Sequence, residues 1–370
     1  MKISSRGIVG SFILLILFGY ARPICAQTIK LDRIEVTIDF KEEGYYRSIP
    51  FIALNKDLFF ITDNFAHRVL EYRFGGNKLE FLRAIGRPGQ GPGDLMRPMD
   101  ISISADILAV KDESGISFFG QDGEFKNKFP ILSCAETMMF AGEEIFTMTC
   151  EPAKSDLIQV YSRKGETLRS FQDKKALYPI RYDIINGLPP AQVQRLVYAG
   201  LLRTDGRSIY LLSKRFGKVL RFDPNGKGTG SWEISHILGD NEKAKAAENR
   251  RMFLEEGFDI EKIKRRIPQN YLFEDAQIVD GRLYLLLENW DILEKKAKPV
   301  IEFVEIDLGD GAVVRSFRAG AQAKWESALQ FVLIGDQNDP IFLTAVRSPG
   351  EDEKICMFKP AMNEKQALAR

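Results

Sequence analysis

A six-residue apolar phrase recurs six times down the chain, and it constrains the fold more than any other feature. It reads LFFITD (58–63), ILAVKD (107–112), IFTMTC (145–150), IYLLSK (209–214), LYLLLE (283–288) and IFLTAV (341–346). Each copy follows a turn signal, in order NKD, SAD, GEE, DGRS, DGR and NDP. After each comes a second β-rich segment, such as HRVLEYRF, GKVLRFD or EKICMFK. Self-similarity at this spacing marks an array built from one supersecondary unit.

Within a unit the pattern is strand, turn, strand, charged or glycine gap, strand, turn, strand. GISFFG, the turn Gln121-Asp122-Gly123 and EFKNKF show the last two strands of one unit. Asp-Gly between β-rich runs is a hairpin signal, because glycine tolerates positive φ. The device recurs at Arg163-Lys164-Gly165, at Asp223-Pro224-Asn225-Gly226 and from Asp307 to Gly311. Four antiparallel strands per unit of roughly 40 residues or more is the pattern of a propeller blade. The sequence therefore predicts an all-β chain: a six-bladed β-propeller of four-stranded antiparallel blades over 27–360, with a polar tail at 361–370.

The last unit supplies only three strands, ending at EKICMFKP. KLDRIEVTI (30–38) alternates apolar and charged residues, as a half-buried outer strand does. Pairing it with the C-terminal unit closes the ring and removes an open seam of unpaired backbone groups.

Residues 1–26 stand apart from this core. Lys2 and Arg6 precede an apolar run from Ile8 to Phe18, and Ile24-Cys25-Ala26 ends it before Gln27. A positive flank, a short apolar stretch and a small-residue end make a secretory signal peptide, too short for a membrane span. The expectation is an exported protein, periplasmic or extracellular, with no transmembrane segment in the mature chain. Lipid anchoring at Cys25 is the weaker reading, because Arg22, Pro23 and Ile24 do not form a lipobox. Loss of Lys2, Arg6 and Arg22 turns a formal net charge of +1 into about −2, which leaves no nucleic-acid footprint. Three cysteines then remain. Cys134 and Cys150 flank a hairpin turning near Gly142, so a disulfide there and two buried thiols both stand as readings.

The stretch FITDNFAHRVLEYRF (60–74) and the following FLRAIGRPGQGPGDLMRPMDISIS (81–104) resemble six-bladed propellers of the NHL-repeat and TolB-like type. The likeness lies in Asp63, Asn64, His67, Arg68 and Val69, then in Gly86, Gly89, Gly91, Pro92, Gly93 and Pro98. The first two units carry the motif, and the later ones keep its hydrophobic skeleton. It looks closest to exported bacterial β-propeller proteins. The resemblance implies that these residues hold a blade and shape its link to the next. It also implies a functional range from calcium-dependent lactonases and streptogramin lyases to non-enzymatic binding proteins.

The residues restrict that range. The chain holds 2 histidines, His67 and His236, too few for a zinc site of two or three imidazoles beside a structural role. No serine sits in a nucleophile-elbow context. Oxygen ligation of calcium asks only for Asp, Glu or Asn near the ring axis. Asp100, Glu136, Glu274 and Asp275 fall at or just before innermost strands, where they either converge on a cation or pair with Arg97, Arg47 and Arg181.

The long insertions, 173–198, 237–272 and 289–299, all fall in second-to-third turns or in links between blades, which emerge on one face of a propeller. Long loops in a compact fold are functional or disordered. The segment 237–272 reads as helical, with Asp240 capping EKAKAAENRRMFLEE up to Gly257, and Asp259 capping a second piece up to Pro268. It is a lid, a strut or a docking site. Binding candidates on this face are Arg97, Asp100, Glu136, Arg181, Tyr182, Glu274, Asp275 and Trp290. Two functions stand: a non-catalytic exported propeller that binds a small ligand or a protein partner through the insertion-rich face, and a calcium-dependent hydrolase or lyase using channel carboxylates.

Overall fold

The recurrent apolar phrases form the second strands of antiparallel four-strand sets that pack face to face around an axis. The computed structural model describes residues 27–39, 51–104, 106–131, 137–149, 154–174, 199–255, 271–288, 290–291, 293–298, 300–322, 326–335, 337–348 and 353–361. The first set runs β3 (Ile52–Asn55), β4 (Leu58–Asp63), β5 (Arg68–Gly75) and β6 (Lys78–Ile85). The second is β7 (Asp100–Ile103), β8 (Ile107–Asp112), β9 (Gly115–Gly120) and β10 (Phe125–Phe129). The third is β11 (Met138–Ala141), β12 (Glu144–Met148), β13 (Asp156–Ser162) and β14 (Thr167–Asp173). The fourth is β15 (Gly200–Thr204), β16 (Ile209–Ser213), β17 (Lys218–Phe222) and β18 (Gly228–Glu233).

An eight-stranded sheet holds the rest. One half is β19 (Phe273–Val279), β20 (Arg282–Leu287), β23 (Val300–Asp307) and β24 (Val313–Gly320). The other is β25 (Ser327–Ile334), β26 (Ile341–Arg347) and β27 (Lys354–Pro360), and β1 (Gln27–Glu35) joins the two halves. A small hairpin, β21 (Trp290–Asp291) with β22 (Lys296–Ala297), fills the gap between β20 and β23. The innermost strands adjoin in the order β3, β7, β11, β15, β19, β25, and β25 adjoins β3 again. Radial sheets closing on themselves in this way make the fold an all-β propeller.

Burial on both faces explains the continuous apolar phrases. In β4, Phe59 and Ile61 pack with Val332, Leu343 and Ile355, while Phe60 packs on the other side with Ile101, Leu108 and Phe119. Every second residue thus serves a different neighbouring sheet. The core is therefore divided into layers between sheets, such as Ile116, Phe118 and Phe129 against Met138, Phe140 and Ile145. The hairpin glycines serve these seams as well. Gly165, at φ +87°, receives the ring of Phe129 from the preceding sheet, and Gly226, at φ +91°, receives that of Phe171. A Cβ at either position would lie 2.5 Å from a ring carbon.

The N-terminal segment does more than the single outer strand expected of 30–38. Leu31 to Glu35 pair antiparallel with β27, from Leu31 opposite Pro360 to Glu35 opposite Cys356. Gln27 to Lys30 run parallel to β24. The chain then leaves at Val36, and β2 (Thr37–Asp39) runs parallel to β6. This strap touches three strand sets because β1 is longer than the β27 edge it covers.

The described part of the insertion is helical: α1 (Ser235–Leu238), α2 (Asp240–Arg250) and a π-helical turn at Arg251–Glu255. The expected second helical piece, with Gly257, Asp259 and Pro268, lies outside the described residues. Among the described residues no helix is long and apolar enough to cross a membrane.

Candidate functional site

The free edges of the innermost strands face the axis, and their N–H and C=O groups need partners. Polar side chains of the adjoining sheet provide them. Asp100 Oδ2 accepts the Met138 N–H at 2.6 Å while Oδ1 accepts the N–H of Ile101 at 2.8 Å. Ser102 Oγ accepts from Phe140 N at 3.0 Å, and Thr137 Oγ1 accepts from Leu202 N at 3.3 Å. Asp275 Oδ1 accepts from Ala276 N and from Arg203 Nη2 at 2.6 Å, and its Oδ2 accepts from Phe331 N at 3.1 Å. Gln330 Oε1 accepts from Ile52 N at 3.0 Å. Arg203 also donates through Nε to the Ala276 carbonyl and through Nη1 to its own strand at Leu202 O. The acceptors are short or planar side chains on first strands, one sheet away from the donor.

These strands enclose a channel cavity of about 360 Å³. Asp100, Asp275 and Arg203 are its charged lining residues. Burial pushes the Asp100 carboxyl up to about 7, against the pull of the Arg203 charge and the two N–H donors.

The expected binding residues divide into three groups. Asp100 and Asp275 line the channel and hold its seams as described. Their cationic neighbour among the described residues is Arg203 and not Arg97; Arg47 and Arg181 lie outside the described residues. Glu274 turns away and pairs with Lys214 at 3.3 Å. Arg97 is exposed on the link between the first and second sheets, at φ +53°, with its Nη1 on Glu113 at 2.9 Å. Its N–H donates to His67 Nδ1 at 2.9 Å, so His67 ties the second-to-third turn of one sheet to the entry of the next. Asp63 caps the same turn, accepting from Phe65 and Ala66 N–H. Trp290 stands in β21, paired with Ala297. Glu136, Arg181 and Tyr182 lie outside the described residues, as do Cys134 and Cys150. Cys356 is a buried free thiol, its sulfur 3.1 Å from Arg33 Nη2.

On the face of the second-to-third turns, α2 is seated through a polar surface. Its buried residues are Asn241, Glu242, Lys245, Ala246 and Asn249. Lys245, fully buried, donates to the Tyr271 carbonyl at 3.0 Å and pairs with Glu288 at the end of β20. Lys298 pairs with Glu242 at 2.8 Å, and Asn249 Nδ2 donates to Arg215 O at 2.8 Å. Burial, with Glu274 nearby, pushes the Glu288 carboxyl up, and Lys245 and Lys298 oppose it. Apolar anchoring comes from Ala246, which joins the core between the fourth and fifth sheets, and from the π-helical turn, where Met252 and Phe253 join the core between the third and fourth.

Sequence reasoning missed Arg203, Gln277 and Gln330 as channel residues, because they sit outside the apolar phrases. Aligning the strand that precedes each phrase would have exposed them. Among the described residues no group of three or more His, Cys, Asp or Glu side chains converges as a metal site would require.

No family model matches this chain, and no curated protein does either. Solved structures do. A protein designated as exported, from Bacteroides fragilis NCTC 9343, aligns over 91% of this chain and 99% of its own, with TM-score 0.57 and 10% identity. Regucalcin of Agrobacterium tumefaciens C58, described as calcium-binding, aligns over 91% and 96%, with TM-score 0.48 and 10% identity. A streptogramin B lyase aligns over 90% and 88%, with TM-score 0.45 and 10% identity. At these identities the likeness concerns the fold alone.

Proposed function

We propose that this chain is an exported, non-catalytic, six-bladed propeller of the NHL-repeat and TolB-like type that binds a ligand or protein partner through its insertion-rich face. The blade count counts the eight-stranded sheet as two blades, and the cyclic order of innermost strands supports it. The contact of His67 with Arg97 and the capping by Asp63 suit the structural role that the NHL-like motif implies. Export rests on residues 1–26.

The observation that carries the binding face is the polar seat of α2. A helix held by Lys245–Glu288, Lys298–Glu242 and Asn249, with Ala246 its one buried apolar residue, is seated mainly through polar groups. It builds surface over the second-to-third turns. The metal-dependent alternative needs channel carboxylates free to ligate, and Asp100 and Asp275 already serve backbone N–H groups. Arg181, Tyr182 and Trp290 are proposed as contact residues on this face, and Cys134–Cys150 as a disulfide open to non-reducing peptide mapping.

The test is binding by alanine variants once a ligand or partner has been captured from the native extracellular environment. Arg181→Ala, Tyr182→Ala or Trp290→Ala should weaken binding with little change in melting temperature. Full retention of binding in all three would place function elsewhere.

A further inference from the structure

The channel has a mouth, and it opens on the opposite face from the insertions. Burial falls along β3, β7 and β19 in chain direction. In β3 Ile52 is buried and Ala53, Leu54 and Asn55 are half-buried; in β7 Asp100 and Ile101 are buried and Ser102 and Ile103 are not. β19 repeats the gradient, with Phe273 and Asp275 buried and Gln277, Ile278 and Val279 half-buried. At the other end, the entry residues Thr137, Ala199 and Leu272 are at most 2% exposed, and Phe51 and Met99 are half-buried. The open end is thus framed by the first-to-second turns.

Those turns carry more acidic than basic groups. Each carries a carboxylate: Asp57, Asp106, Glu143, Asp205, Asp280 and Asp339. Asp57, Asp106 and Glu143 are 61%, 68% and 79% exposed. Lys56 and Arg207 are the cations within the same turns, Arg73 pairs with Asp57 at 3.8 Å, and Arg163 pairs with Asp106 and Glu143. A cleft whose rim carries a net excess of one sign of charge, with low-dielectric walls, concentrates ions of the other sign.

The interior adds an apolar body. Its walls include Leu54, Ile103, Met139, Ile278 and Leu333, and its ionisable groups are Asp100, Asp275 and Arg203, the last two paired with each other. The Arg203 guanidinium is already held by Asp275 and two carbonyls. Gln277 donates through Nε2 to Phe331 O at 3.1 Å, which leaves its Oε1 without a partner among the described residues. That oxygen is an acceptor at the wall of the open half. A volume of about 360 Å³ lies within the roughly 300–1,000 Å³ range of small-molecule sites.

We infer that the channel is a second binding site, entered from the first-to-second-turn face, for a small organic monocation with an apolar body. The ammonium stands at the mouth, facing the carboxylate ring and Gln277 Oε1, and the chain lies along the aliphatic walls. Gln330 uses Oε1 for Ile52 N and so presents an amide N–H₂ to the channel, which makes an uncharged amide the next-best occupant and a carboxylate the worst.

Ligand-observed saturation-transfer NMR on the mature protein tests this with hexylammonium, hexanamide, hexanoate and methylammonium. The expected order is hexylammonium, then hexanamide, then hexanoate, with strongest transfer to the terminal methyl and weakening by added salt. Methylammonium, which has the charge without the body, should bind at least tenfold more weakly. The variant Asp57→Asn/Asp106→Asn/Asp280→Asn should melt as the parent does and lose most of the preference for the cation over the amide. Asp280→Asn alone, at an exposed position whose φ of +49° asparagine tolerates, should lose part of it. The inference is overturned if hexanoate matches hexylammonium, if methylammonium does so, or if no probe binds at millimolar concentration. An unchanged preference in the triple variant overturns it as well. None of these results bears on the insertion face.

Discussion

The carboxylate of Asp100 accepts the backbone N–H of Met138 from the adjoining sheet at 2.6 Å, inside the channel wall. This bond closes a strand edge that would otherwise be left open beside the cavity. Its price is a buried acid whose pKa burial lifts to about 7. In the window between the ordinary aspartate value and about 7, the folded state binds more protons than the unfolded state. Stability from this group therefore rises as pH falls through that window, and declines as pH rises toward 7. Asp100→Asn should flatten the pH dependence of unfolding free energy between pH 5 and 7. It should also cost about 1–3 kcal/mol at pH 5, because one buried N–H loses its acceptor. Urea titrations at several pH values measure both effects.

Gly165 and Gly142 offer a matched pair of positive-φ glycines. A Cβ on Gly142 would meet nothing within 4 Å, whereas on Gly165 it would strike the Phe129 ring. Gly142→Ala should cost about 1–2 kcal/mol, the backbone strain alone. Gly165→Ala should cost a further 1–3 kcal/mol or so from overpacking at the seam. Equal losses in denaturant melts would mean that the hairpin glycines do not lock one sheet to the next.

Much of the ring was legible because its unit is local. LFFITD announces a strand buried on both faces, and its position after NKD announces the hairpin. What local pattern does not contain is the partner. KLDRIEVTI reads as a strand, yet nothing within it says that the chain leaves β27 at Val36 to join β6. EKAKAAENR reads as a helix, and its own residues leave lid, strut and docking site equally open. Its actual seat depends on Glu288 and Lys298, which stand 43 and 56 residues from their partners Lys245 and Glu242. The channel residues were hidden for the same reason: Asp275 reads as a candidate ligand until Phe331 N–H, 56 residues on, is seen to need it.

Lys245 and Glu288 form a buried pair, so removing one partner strands a charge. Lys245→Met should destabilise the protein by about 3–5 kcal/mol, and Lys245→Met/Glu288→Leu should recover most of that loss. Protease sensitivity of the 237–272 segment should follow the same order. A double variant no more stable than the single one would contradict the pairing.

Deleting residues 27–39 opens three strand sets at once, since this strap pairs with β24, β27 and β6. It also removes Arg33, whose Nη1 holds both oxygens of the buried Glu326 at 2.8 Å. The truncated chain should lose cooperative melting. Retention of the full melting temperature would refute closure by the N-terminal strand.

Melting in calcium and in EDTA, on the mature protein and on Asp275→Asn, tests the role of the channel carboxylates most directly. If Asp275 serves the Phe331 and Ala276 N–H groups and Arg203, Asp275→Asn lowers the melting temperature equally in both buffers, and calcium gives no stabilisation that depends on Asp275. A calcium-induced rise in the parent that disappears in Asp275→Asn would contradict the account and make the channel a cation-dependent site.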